Sequence, residues 1–265
     1  MKPIYDTLGK TYNSTRKADL YIAGRLSNFL NPQPGGLYLD IGCGTGNYTI
    51  ALADMGLNFV GVEPSEEMLK VARNRNEEIE WLRGSAENIP VEDNTFDGVI
   101  ATLTIHHWDS LTKSFSELAR VIKPGASIVL FTADPKQMEH YWLNHYFPQV
   151  LKSSIAQMPS FDVINDALAG AGFEIGTTEK YFVQDDLQDT FLYAGKNKPQ
   201  IYLDEAVRKG MSSFAALANA EEVRKGLLKL QIDFEDNKFI SIKNSYNNNL
   251  GDYLFIVAKK KNTHG

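Results

Sequence analysis

The sequence predicts an α/β chain built on a doubly wound, mainly parallel sheet with helices on both faces, and three observations carry that prediction. From residue 37 to residue 133, short apolar runs alternate with helix-like runs, the pattern of consecutive βαβ units. The first apolar run, Leu37-Tyr38-Leu39-Asp40-Ile41, ends in glycines at alternate positions, Gly42, Gly44 and Gly46, and leads into the helix-like run Tyr48 to Met55. The second, Phe59-Val60-Gly61-Val62-Glu63, ends in an acid 23 residues after Asp40. Glycines let the main chain turn sharply and touch a ligand directly, and the helix behind them offers unpaired N–H groups and a partial positive charge. A carboxylate at the end of the second strand can take both hydroxyls of a ribose. A nucleotide-type site at the carboxyl edge of the sheet follows.

The spacing narrows the ligand. A dinucleotide fingerprint reads G-x-G-x-x-G, whereas here Gly46 closes a G-x-G-x-G run that Asp40 precedes. Asp-x-Gly-x-Gly-x-Gly closing a first strand resembles motif I of class I S-adenosylmethionine (SAM) methyltransferases, with Glu63 as its second anchor. The resemblance implies a Rossmann-like fold, SAM as methyl donor with S-adenosylhomocysteine as product, and cofactor contacts from Asp40, Gly42, Gly44, Gly46 and Glu63.

Residues 1–30 read as helical, from the stripe Ile4, Leu8, Tyr12, Leu20, Ile22, Ala23, Leu26 and Phe29-Leu30. Tyr5 to Asn13 followed by Arg16 resembles the leader of the ubiquinone-biosynthesis-type branch of these enzymes. That likeness implies a lid in which Tyr12 and Arg16 close the pocket, Arg16 near the methionine carboxylate; a plain amphipathic helix packed on the sheet is the other reading. Asn31 to Gly36 breaks the chain before the core. Ser65 can cap the next helix, with Glu66 and Glu67 in its first turn. Ile79 to Arg83 is a third strand and Phe96 to Ala101 a fourth. Between them, Ser85, Ala86 and Glu87 stand where the family's adenine-side loop falls, with Ser85 in place of the usual acid.

After strand four, Thr102-Leu103-Thr104-Ile105-His106-His107 forms a second loop at the carboxyl edge, and the resemblance sets it between cofactor and acceptor, with Leu103 on the cofactor side. Asp109 or Ser110 starts a helix to Ile122, and Lys123-Pro124-Gly125 turns into strand five, Ser127 to Ala133. Residues 136–155 read as one helix on which Met138, Tyr141, Trp142 and His145 share a face, a core stripe or an acceptor wall. Phe161 to Ala171 is a helix and Phe173-Glu174-Ile175 opens a strand. Leu187 to Tyr193, Tyr202 to Lys209 and Glu221 to Phe234 look helical, whereas Phe239 to Ile242 and Tyr253 to Ala258 look like strands. The expected organisation is a single domain over 1–265: a helical lid at 1–36, a cofactor-binding core at 37–133, and a remainder at 134–265 with a helical cap insertion at 185–237 before the last strand.

Composition bounds the function. The chain has 265 residues, 43% of them hydrophobic and 23% charged, and a net charge of −6, which argues against a nucleic-acid surface. No apolar run approaches the ~20 residues that span a bilayer, and no signal-peptide pattern opens the chain. One cysteine, Cys43, fits a reducing cytoplasm, and the five histidines show no metal-ligand spacing. A monomer or homodimer acting on a small-molecule acceptor, with no metal, is the expectation. His106 and His107 are the candidate bases, since histidine titrates near ~6.5; in-line positioning alone is the alternative. A SAM-binding protein without turnover, or a nicotinamide-dependent oxidoreductase, would share much of this plan.

Overall fold

The structure, a computed structural model, describes residues 16–262. Seven strands form one sheet in the order β3-β2-β1-β4-β5-β7-β6: β1 Leu37–Ile41, β2 Asn58–Glu63, β3 Glu80–Arg83, β4 Phe96–Thr102, β5 Ile122–Thr132, β6 Phe173–Tyr181 and β7 Tyr253–Lys260. Strands β1 to β5 run parallel, and β7 lies antiparallel between β5 and β6. Strand order reverses at β1, which has β2 on one side and β4 on the other; ligands enter doubly wound sheets at such a point.

Local chemistry explains the helix starts. Asp19, Ser65 and Ser110 each accept the N–H of the residue three further on, and open the helices Leu20–Leu30, Glu66–Arg75 and Leu111–Val121. Strand side chains alternate between two cores. Tyr38 joins Leu26, Leu30 and Phe59 on one face, while Leu39 and Ile41 join Phe115, Leu118 and Ile164 on the other.

Three elements differ from expectation. The run 136–155 is three short helices, Pro135–Met138, Leu143–Tyr146 and Pro148–Gln157. Pro148 has no N–H to give and pushes Phe147 out of helical geometry, to φ −134° and ψ 58°. Leu187 to Tyr193 forms no helix, because side chains from elsewhere take its backbone donors. The Gln188 N–H donates to the Asp19 carboxylate (3.1 Å) and the Tyr193 N–H to the Tyr253 hydroxyl (3.2 Å). Phe239–Ser245 is a helix rather than a strand, since Phe239 buries edge-on against Trp142 and beside Phe234, with ring centroids 5.0 Å from each.

Between β6 and β7 the chain makes one excursion, residues 182–252, that holds the helix Ala220–Glu235, a π-helical turn Ser213–Leu217 and two 3₁₀ turns, Ala194–Lys196 and Pro199–Leu203. It departs and returns at paired neighbours, Tyr181 and Tyr253. Asp252 clasps its base: the Val183 N–H donates to the carboxylate (2.7 Å), Lys196 Nζ contacts both oxygens (2.8 Å each), and the Asp252 N–H donates to the Tyr181 carbonyl (2.7 Å).

Candidate functional site

At the switch point all three glycines of the loop have positive φ: 71° at Gly42, 57° at Gly44 and 78° at Gly46. A Cβ at Gly42 would stand 2.1 Å from Thr104 Oγ1, and one at Gly46 2.4 Å from the Trp81 ring. Gly44 is different, with only Met68 Sδ nearby at 3.7 Å, so its main chain lies open to the cleft.

Glu63, 5% exposed, ties this loop down. The Gly44 N–H donates to one carboxylate oxygen (3.1 Å) and the Ser65 N–H to the other (3.0 Å). A carboxylate has about four acceptor positions, so this anchoring is compatible with a ribose diol on the same group. Asp40 is buried beside it and accepts the Thr49 hydroxyl (2.7 Å). Burial, assisted by the negative charge of Glu63 and opposed by the Thr49 bond, pushes its pKa from 3.8 up to about 7.

That shift has a sign. Between pH ~4 and ~7 the folded chain keeps a proton that the unfolded chain has released, so raising pH through this window lowers stability. Asp40→Asn is expected to flatten that part of the stability–pH curve, read by urea unfolding at several pH values. Identical slopes for the two proteins would contradict the burial argument.

The cleft is lined by Arg16, Asp40, Gly42 to Thr45, Asn47, Tyr48, Glu63, Met68, Thr102 to Thr104 and His107. Two of its side chains carry buried oxygens without a hydrogen-bond partner, Thr45 Oγ1 and Thr102 Oγ1. Unsatisfied buried polar atoms are uncommon, and here they mark places where a polar ligand would complete the bonding. Open main chain at Gly44, carboxylates at two strand ends and orphaned hydroxyls together suit a nucleoside with a charged tail.

A second cavity adjoins the cleft and shares Arg16, Leu103 and His107 with it. Its walls include Met138, Met158, Phe191, Met211 and Leu217 together with Ser154, Gln157, Ser212 and Ser213, so the 182–252 excursion supplies much of it. Leu103 stands at the junction with φ 53°, in the left-handed region, its N–H held by the Phe131 carbonyl (2.8 Å). Strain of this kind in a bulky residue gathers at functional sites.

His106 lines only the second cavity, and its ring lies 3.9 Å from that of His107. Its Nδ1 is buried without a partner, and burial, aided by His107, holds its pKa well below the usual histidine range. His107 is lowered by burial as well, an effect softened because more than a third of the residue is exposed.

The predicted residues divide by place. Arg16, Asp40, Gly42, Gly44, Glu63, Leu103 and His107 meet at the cleft, and His106 lies just beyond it. Gly46 starts the helix behind the loop. Ser85, Ala86 and Glu87 fall outside the cleft lining: Ser85 pairs its backbone with Asn88, Ala86 is core, and Glu87 accepts the Ser114 hydroxyl (2.9 Å) and the Ser110 N–H (3.3 Å). Tyr12 lies outside the described residues. In the aromatic stripe Tyr141 and Trp142 are core, Met138 also reaches the second cavity, and His145 packs on Tyr146.

Sequence reasoning missed Asp189. It is 1% exposed, receives two donors from the Arg16 guanidinium and accepts the Tyr48 hydroxyl (3.1 Å). One buried carboxylate of the excursion thus grips both the N-terminal segment and the helix that follows the glycine loop.

Known proteins share this architecture. A family model described as a methyltransferase domain matches residues 39–130. A crystal structure from Anabaena variabilis, described as a methyltransferase from an antibiotic biosynthesis pathway, superposes with TM-score 0.83 at 36% identity, covering 92% of this chain and 99% of that one. An uncharacterized methyltransferase of Mycobacterium tuberculosis is 38% identical over 103 residues, 39% of this chain and 42% of its own. A demethylmenaquinone methyltransferase of Corynebacterium kroppenstedtii is 31% identical over 132 residues, 48% of this chain and 57% of its own. The chain therefore spans about half the length of the curated relatives it matches.

Proposed function

The chain belongs to the class I SAM-dependent methyltransferase family, and from that premise we propose that it moves the methyl group of SAM to a small, largely apolar acceptor held in the second cavity. The observation that carries the choice of donor is the pair of buried carboxylates, Asp40 and Glu63, flanking the glycine loop. Asp40 suits a ligand bearing a sulfonium and an ammonium, and Glu63 suits the hydroxyls of its ribose.

SAM, when bound, supplies a methyl group activated by its neutral thioether leaving group. Everything else falls to the residues of the chain. Glu63 takes the ribose hydroxyls, the main chain at Gly44 allows close approach while Gly42 and Gly46 hold the loop's turns, and Asp40 faces the cationic tail. Tyr12 and Arg16 close the cleft over that tail, while Leu103 borders the cofactor. His106 and His107 stand where the acceptor meets the methyl. Relatives named for demethylmenaquinone support a small-molecule acceptor, as do the apolar cavity walls. No helix among the described residues is long and apolar enough to cross a membrane. We place the enzyme in the cytoplasm, as a monomer or homodimer, with no metal and no nucleic-acid partner.

Ligand-dependent melting tests the donor. SAM or S-adenosylhomocysteine at about 100 times its Kd adds ~2.7 kcal/mol by mass action, a rise of about 5–10 °C for a chain of this size. NAD at the same concentration is expected to leave the midpoint unchanged. An equal rise with NAD, or none with either SAM-type ligand, would reject the proposal.

A further inference from the structure

The second cavity has its one charged side chain and both of its histidines where it meets the cofactor cleft, and elsewhere its lining is apolar with the neutral polar groups of Ser154, Gln157, Ser212 and Ser213. Arg16 and His107 line both the cavity and the cleft, with His106 next to them, whereas Met138, Met158, Met211 and Phe191 line the cavity alone. The cluster offers donors. Arg16, its charge already paired with Asp189, is the one charged side chain among the described residues of this lining, and a guanidinium has N–H groups and no acceptor. His106, as a neutral imidazole, has one donor nitrogen. In the Nε2–H tautomer, the buried and unpartnered Nδ1 carries the lone pair and the ring that lines the cavity has one N–H to give. Burial also keeps this imidazole neutral near pH 7, a weak base but a serviceable donor.

We propose that the acceptor is an amphipathic organic acid whose oxyanion sits at the junction against His106 and Arg16, with its apolar body along the methionine wall. The proposal rests on the methyl-transfer reading above and deepens it. An oxygen lone pair of the ionised acceptor forms the new O–CH₃ bond, the S–CH₃ bond breaks, and its electron pair remains on sulfur. The negative charge on oxygen and the positive charge on sulfur disappear together, so no proton has to leave in the transfer step. Charge cancellation suits a cavity with mostly apolar walls, where separate charges are poorly solvated. His106 then orients and holds the oxyanion instead of removing a proton.

The test uses binding to the full chain saturated with S-adenosylhomocysteine, followed by calorimetry. Three probes share one ring system: 2-naphthoate, 2-naphthalenemethanol and 2-naphthylmethylamine, the last a cation at neutral pH. The expected result is that 2-naphthoate binds at least tenfold tighter than the amine, with the alcohol between them. His106→Phe is expected to shrink that ratio below threefold, while His106→Gln, which keeps an N–H donor, retains most of it. The affinity of each variant for S-adenosylhomocysteine, measured in the same series, checks that the fold is intact. The inference is overturned if the amine binds as tightly as the carboxylate, if the carboxylate does not bind at millimolar concentration, or if an intact His106→Phe keeps the full ratio. Failure of the wild-type chain to bind S-adenosylhomocysteine at all would bring down the reading beneath it as well, and that outcome is visible before any probe is added.

Discussion

Glu63→Ala is expected to weaken S-adenosylhomocysteine binding by about 1–3 kcal/mol, roughly 5- to 150-fold in Kd, because hydrogen-bonding groups lose a buried acceptor. Two effects contribute. The ribose hydroxyls lose the carboxylate directly, and the glycine loop loses its tether, since the Gly44 and Ser65 N–H groups both end on Glu63. Calorimetry separates binding from folding: the loop effect also appears as a lower urea midpoint in the ligand-free protein, whereas the ribose effect appears only in the affinity. Unchanged affinity, even in a less stable protein, would show that the sugar lies elsewhere.

Asp189→Ala carries the larger cost to the fold, about 3–5 kcal/mol, the usual penalty for removing one partner of a buried ion pair. The Arg16 side chain is 12% exposed and that of Asp189 1%, so solvent compensates the abandoned guanidinium poorly. The Tyr48 hydroxyl loses its acceptor in the same substitution. Asp189→Asn, which keeps the shape and one oxygen, is expected to cost clearly less. Urea unfolding at constant m-value measures both variants. A loss below about 1 kcal/mol for the alanine variant would mean that water reaches this contact and that it does not bind the excursion to the cofactor helix.

What could be read before folding was whatever lay close together along the chain. Gly42, Gly44, Gly46 and Glu63 fall on two consecutive strand–loop units, and the parallel register of Ile41 with Val62 brings those strand ends side by side. Asp189 was not legible, because it meets Tyr48 across 141 positions and sits in a stretch whose pattern suggested a helix. That misreading and the one at Phe239 share a cause: long-range partners outbid local propensity, through donated hydrogen bonds in one case and an aromatic cluster in the other. Ser85 to Glu87 illustrate the converse, a recognisable motif position whose acid here braces the neighbouring helix start. Thr45 and Thr102 announced themselves only through bonds they lack.

The return of residues 182–252 to the strand beside the one they left means that their ends are fixed by the sheet itself, at Tyr181 and Tyr253. Lengthening such a loop adds little closure entropy, about 0.6 kcal/mol per doubling. Descendants of this chain are therefore free to exchange the excursion's share of the second cavity as a cassette while the glycine-loop cleft is inherited intact, provided that each replacement brings its own counterpart of Asp189 for Arg16 and Tyr48.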